Sequence, residues 1–408
     1  MAWQSWPLRT ARDCRGVRFL WRTGERMRLR LTLILIGCLA AFTLLWSMWP
    51  SPISPAYWDE PAAPEMTGAL EPDGALADAV AIDVGLPGSG EGIAVSDTGT
   101  IYYGTADGRV MRLMPNADNE TETALEVAQV TETLILGLDW IAPDVLGVAA
   151  ISGLYALDVE TGHYTLVSSG APAHPFGYVN DLAAAPDGRI FFTDSSTRWG
   201  HDSDRDRYRH DMLENRPSGA LYVWDPATHQ TRLVRSRLHY PNGIELAPDG
   251  RSVLVAETFR YRIVRIWIDG PEAGSKDIFA ENLPGLPDGL ATDSRGRLLV
   301  TMPSPRVPLL GFLHRHPRIT QLLMKVPEWL RPGAVPARAF ILVLDTETGE
   351  ALDSWHDPDG RLGYLSNTVQ APDGDLWIGT TDRGHLVRFS PDRPDTAGDT
   401  GAPVSLDD

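Results

Sequence analysis

Cysteine and lysine are nearly missing from this 408-residue chain. The two cysteines, Cys14 and Cys38, both lie near the N-terminus. The long remainder therefore has no disulfide and no thiolate metal site. The two lysines are Lys276 and Lys325, so positive charge is almost entirely arginine. There is no Gly-rich phosphate loop, no G-x-S-x-G elbow and no H-E-x-x-H. Nucleotide use, serine hydrolysis and zincin chemistry thus have no motif to rest on. Basic charge is also scarce beyond the first thirty residues. Those carry eight Arg against Asp13 and Glu25, a net of +6 in a chain of formal charge −18, which leaves −24 for the rest. A surface of that sign excludes nucleic acid as a partner, because phosphate binding needs a basic face.

Glycine (38) and proline (32) are plentiful, and 43% of residues are hydrophobic. That composition favours many short elements joined by tight turns, with enough apolar residues for a large core. One uncharged apolar run, Leu31 to Trp49, is long enough to span a bilayer. Arg26, Arg28 and Arg30 precede it. By the positive-inside rule, residues 1–30 form a cytoplasmic basic segment and everything after Trp49 is exported, to the periplasm or the cell exterior. A cleaved signal peptide and lipidation at Cys38 are the rival readings. Residues 50–78, opening "PSPISPAYWDEPAAPE", read as a stiff Pro-rich tether. Residues 391–408 read as a disordered acidic tail.

Between these lies a repeat, aligned on the glycine of a turn. Glu91 stands eight positions before Gly99, Asn180 eight before Gly188, Asn242 eight before Gly250 and Asp288 eight before Gly296. Ser366 stands eight and Asn367 seven before Gly374. A further copy, "LGLDWIAPDVLGVAA", lacks the turn glycine and places Leu136 at the corresponding position. Each copy reads as a strand, a tight turn and a second strand, with Asp-Gly favoured because glycine tolerates positive φ. Most copies continue into a third strand. Six such units predict an all-β fold, a six-bladed β-propeller over residues 79–390 behind an N-terminal transmembrane helix. Ala79 to Asp83, "AVAID", is expected to supply the missing strand of the last blade and close the ring. Two β-sandwiches are the alternative, but they leave the repeat unexplained.

In a propeller the innermost strands surround one axis, so the residues that open them meet at one channel mouth. The register therefore gathers Glu91, Asn180, Asn242 and Asp288: two carboxylates and two amide carbonyls. Hard oxygen donors without His or Cys point to Ca²⁺, with Mg²⁺ or Mn²⁺ as alternatives.

The chain resembles the strictosidine synthase-like group of six-bladed propellers, related to the gluconolactonase (SMP-30) and paraoxonase families. The stretches that carry the likeness are "GTADGRVMRL", "FFTDSSTRWG", "PNGIELAPDGRSVLVAETFRYRIVRIWIDGPEAGSKDIF", "LPDGLATDSRGRLLV" and "HDPDG". With the N-terminal anchor, the resemblance is to the adipocyte plasma membrane-associated protein type of that group. It implies a calcium at the channel mouth on a Glu and Asn/Asp residues, which fall on Glu91, Asn180, Asn242 and Asp288. It also implies hydrolysis of lactones, aryl esters or related esters. Two departures limit the carry-over. The plant synthase's acid/base Glu matches Asn367 here, which argues against that condensation. The paraoxonase His matches Leu136, which argues against a His dyad.

The expectation is a membrane-anchored, Ca²⁺-dependent hydrolase of a small-molecule ester or lactone. Asp288 is the catalytic carboxylate and Asn367 a substrate-binding residue. The alternative is a non-catalytic propeller whose structural Ca²⁺ shapes a ligand or protein docking surface. Three smaller features remain. "HDSDRDRYRHD", His201 to Asp211, reads as a solvated loop, with a second metal site or a gate as alternatives. Residues 304–338 interrupt blade five. There Ile319, Leu322, Leu323, Val326 and Leu330 keep helical spacing, for a helix packed on its own propeller, lidding the channel or resting on a membrane. Asn119 begins a glycosylation sequon.

Overall fold

The computed structural model describes residues 14–85, 90–114, 124–172, 174–200, 208–331 and 335–391. The Asn119 sequon, residues 201–207 of the blade-three loop and the acidic tail past Pro391 lie outside these residues.

The repeat folds as six four-stranded antiparallel sheets. Their inner strands are Ile93–Val95, Ile135–Ala142, Val179–Ala184, Pro241–Leu246, Leu290–Thr292 and Leu365–Gln370. The turn glycines adopt the left-handed backbone that the Asp-Gly pattern requires, as at Gly188 (φ 85°) and Gly250 (φ 65°). The second strand of each blade is covered on both faces, which is why it reads as a continuous apolar run. Val253, Leu254, Val255 and Ala256 in blade four are all at most 1% exposed. Cores form between neighbouring sheets. Ala94, Tyr102 and Val110 of blade one, for instance, pack with Ile135, Leu146 and Val148 of blade two. Burial of such side chains contributes roughly 25 cal/mol per Å² of apolar surface.

Val80–Asp83 pairs antiparallel with His385–Phe389 as the outer strand of the last blade. The chain thus closes its ring with its own N-terminal strand, as the sequence suggested, and no inner sheet edge is left open.

The N-terminal helix runs Cys14–Met48. Its Met27–Met48 portion is long and apolar enough to cross a membrane. The segment after it differs from a free tether. Ile53 is 3% exposed. Ser54 N and Ala56 N donate to Glu214 Oε1 (2.7 Å) and Glu214 O (2.8 Å), and Trp58 N donates to His314 O (3.1 Å). The Trp58 ring lies under the Arg260 guanidinium at 4.2 Å and beside Tyr261 at 5.8 Å. Residues 53–61 are therefore a strap laid over blades three to five. Proline stiffness gave no sign of these contacts, because they depend on residues distant in sequence, 160 positions away in the case of Ser54 and Glu214.

The blade-five insert is two short helices, Pro308–Arg315 and Pro317–Met324, not one. Pro317 cannot continue the first helix, so it opens the second. The stripe expected to pack on the propeller does not: Ile319, Leu322 and Leu330 are exposed, while Leu323 and Val326 are half-buried. Leu310, Leu313, His314, Thr320 and Met324 are buried instead.

Candidate functional site at the channel mouth

The inner strands begin irregularly, and the irregularity falls on the repeat's polar residues. Pairing slips between Val179 and Leu182, between Pro241 and Ile244, and between Leu365 and Thr368. These β-bulges take in Asn180, Asn242, and Ser366 with Asn367. A bulge re-aims a side chain that regular pleating would send into the sheet. Glu91 and Asp288 stand just ahead of the strands Ile93–Val95 and Leu290–Thr292.

Adjacent blades touch backbone to backbone here. A Cβ on Gly243 would lie 2.2 Å from Asp288 O, and one on Gly289 2.7 Å from Asn367 Cα. Only glycine permits that approach.

Asn242 and Asp288 are in direct contact, the amide NH₂ donating to the carboxylate. Asn180 is one hydroxyl away: its Nδ2 donates to Ser195 Oγ (3.0 Å), which in turn donates to Pro241 O (2.7 Å). Thr193 Oγ1 donates to Asn242 O (2.8 Å). Glu91 lies within electrostatic reach of Tyr240. Burial holds the Tyr240 hydroxyl well above its ordinary pKa, and the negative charges of Asp211, Glu91 and Asp288 add to that. All four predicted residues are buried, between 3 and 9% exposed.

Burial pushes the Asp288 carboxyl up to about 7, eased by hydrogen bonds from Ser366 and Asn242. Both of these partners are neutral. Ser366, at the eighth position before its turn glycine, is thus the blade-six neighbour of Asp288. Asn367, one residue on, donates to Leu136 O at 2.9 Å and lines the channel below.

Sequence reasoning missed a second layer of acids deeper in the channel. Asp139 Oδ2 accepts Ala184 N (2.8 Å) and Asp181 Oδ2 accepts Ile244 N (3.2 Å). Each ties one inner strand to the next. Burial raises Asp139 to about 6 and Glu245 to about 8. With Asp97 and Asp293 these acids line a cavity of about 550 Å³ that opens at the turn end, away from Asp288. The signal available was the acid directly after Asn180, in the same bulge.

Among the described residues, no three or more His, Cys, Asp or Glu are grouped to hold a metal. The mouth set is of another kind, two carboxylates with two amides. An amide turned about χ2 presents its oxygen where its NH₂ now stands. A buried carboxylate beside amide groups is the kind of oxygen-donor set a hard cation takes.

Comparison with known proteins agrees with this architecture. Residues 89–307 match the model of the SMP-30/Gluconolactonase/LRE-like region. The adipocyte plasma membrane-associated protein of Salmo salar is 32% identical, covering 86% of this chain and 88% of its own length. The Homo sapiens protein of that name is 31% identical over 88% and 90%. Protein strictosidine synthase-like 13 of Arabidopsis thaliana is 28% identical over 70% and 73%. Among solved structures, a gluconolactonase from Xanthomonas campestris superposes with a TM-score of 0.54 at 20% identity, covering 84% of this chain and 98% of its own. The calcium-binding protein regucalcin from Agrobacterium tumefaciens gives 0.53 at 16% identity, over 76% and 92%. At those identities the two structures speak for the fold alone. The chain belongs to the SMP-30/gluconolactonase/LRE-like family, together with the adipocyte plasma membrane-associated proteins.

Proposed function

We propose that the protein is a membrane-anchored, divalent-cation-dependent hydrolase of a lactone or ester, with Ca²⁺ as the ion. The observation that carries this reading is the arrangement at Asp288: a buried carboxylate at the channel mouth, held by hydrogen bonds from Asn242 and Ser366. An oriented carboxylate in that position is placed to accept a proton from water. The matching family model, named in part for gluconolactonase, supports the substrate class.

Glu91, Asn180, Asn242 and Asp288 would hold the ion, which when bound supplies Lewis-acid polarisation of a carbonyl oxygen. The protein's own residues do the rest. Asp288 accepts a proton from water as the water oxygen bonds to the carbonyl carbon. The ring or ester C–O bond then breaks, and the departing oxygen takes that proton back from Asp288. Asn242 and Ser366 fix the carboxylate's orientation. Asn367 reaches the reaction only as an orienting group, since an amide neither gives nor takes protons near neutrality.

A second reading, a non-catalytic propeller with the mouth as docking surface, draws on the same Asn367 and on Leu136, where related enzymes carry an ionisable residue. A screen of lactones and aryl esters on the full-length protein, with Ca²⁺ and with EDTA, separates the two. Turnover lost in EDTA supports the hydrolase. No turnover on any substrate puts the docking surface first.

A further inference from the structure

The blade-five insert differs in chemistry from the rest of the chain. Between Ser304 and Gly333 stand Arg306, Arg315, Arg318, Lys325 and Arg331 against one acid, Glu328, in a protein of formal charge −18. Its helices are amphipathic, and their packing uses only one face. Pro308–Arg315 buries Leu310, Leu313 and His314 and turns Leu309 and Phe312 outward. Pro317–Met324 buries Thr320 and Met324 and turns Ile319 and Leu322 outward. Trp329 and Leu330 follow. These six side chains are 41 to 81% exposed. An apolar group of this size on a water-facing surface marks an interaction site.

A second observation says what covers it. Lys325 Nζ donates to Trp46 O (3.1 Å) and Ser47 O (3.0 Å), the last turn of the N-terminal helix. The apolar face therefore adjoins the end of the membrane-length helix. Basic side chains beside an apolar face match anionic headgroups, and tryptophan favours that depth. The insert leaves blade five at the Asp288 end of the sheet, since Asp288 N donates to Thr301 O (2.9 Å) and Leu286 N to Ser304 O (3.0 Å).

We propose that the insert is a second membrane contact, seating Leu309, Phe312, Ile319, Leu322, Trp329 and Leu330 in the headgroup region of an anionic bilayer. The channel mouth with Asp288 then faces lipid. This inference rests on the membrane-anchor part of the reading above and is independent of hydrolysis.

The test uses the full-length chain in nanodiscs containing phosphatidylglycerol, with an NBD fluorophore on one cysteine at a time. Trp329→Cys and Leu322→Cys, each with Cys14→Ser and Cys38→Ser, report on the insert. Native Cys38, with Cys14→Ser, reports on the span. Leu352→Cys, also with Cys14→Ser and Cys38→Ser, is the control, exposed on the outer strand of blade five at the end opposite the insert. The expected result is blue-shifted emission at 329 and 322, quenched several-fold more by shallow nitroxide lipid than by aqueous iodide, with the reverse at 352. If 329 and 322 behave like 352 while 38 is quenched by lipid, the insert faces water and the inference is overturned, although the anchor stands. If 38 itself is open to iodide, the anchor reading fails and this inference fails with it.

Discussion

The Asn242 amide donates to the Asp288 carboxylate across the junction of blades four and five, joining residues 46 positions apart. Neither residue sits in regular sheet. Asn242 lies in a bulge and Asp288 precedes its strand. The bond therefore depends on blades four and five being packed together, and this part of the site belongs to neither blade alone.

Removing either carboxylate of the mouth should weaken cation binding. A ligand that binds only the folded state stabilises it by about 2.7 kcal/mol at a hundredfold excess over Kd. Wild-type protein should show a rise in Tm with Ca²⁺ that EDTA reverses. Glu91→Gln and Asp288→Asn should each abolish most of that rise. A wild-type Tm indifferent to both Ca²⁺ and EDTA would contradict the assignment.

Gly243→Ala should open the junction that holds Asn242 against Asp288. The added Cβ would meet Asp288 O, Leu290 N at 2.7 Å and Gly289 Cα at 2.8 Å, all of them backbone. No side chain can rotate away, so the strands must separate. Overpacking of this kind costs roughly 1–3 kcal/mol. Urea unfolding should show a lowered midpoint, with the Ca²⁺-dependent gain reduced as well. An unchanged midpoint would mean that the blades do not meet this closely.

Much of this geometry could be read in the sequence because a propeller repeats one register. The eight-residue offset to the turn glycine placed Glu91, Asn180, Asn242 and Asp288 at the mouth. It also placed Ser366 there, although the likeness to the plant enzyme drew attention to Asn367 instead. The bulges were invisible, since nothing in "PNGIEL" announces a slipped pairing. The strap was also hidden: Trp58 looks like any residue of a Pro-rich linker until Arg260, Tyr261 and His314 converge on it. In the insert, helical spacing correctly gave helix but not its orientation. An apolar stripe says that a face seeks cover, not which cover it finds.

Asp211 offers a test through pH. It is 2% exposed, and Ser196 Oγ and Ser218 Oγ both donate to its Oδ2. Burial raises its carboxyl from the ordinary 3.8 to about 7. Between those values the folded protein holds a proton that the unfolded chain has lost, so stability falls as pH rises through this window. The contribution is full below about pH 4 and gone above about pH 7. Asp211→Asn removes the titration and should flatten the fall in urea midpoint between pH 5 and pH 8. Parallel profiles for wild type and variant would show that Asp211 is ionised in the folded protein.

The most direct test of the central claim is kcat for Asp288→Asn beside Asn367→Ala, on a lactone or ester that the wild type turns over. Both variants are measured at saturating Ca²⁺, so that lost affinity is not read as lost chemistry. Loss of a general base costs about 10²–10⁴-fold. The account predicts a fall of that size for Asp288→Asn and a kcat within a few-fold of wild type for Asn367→Ala. Near-wild-type turnover in Asp288→Asn would contradict it.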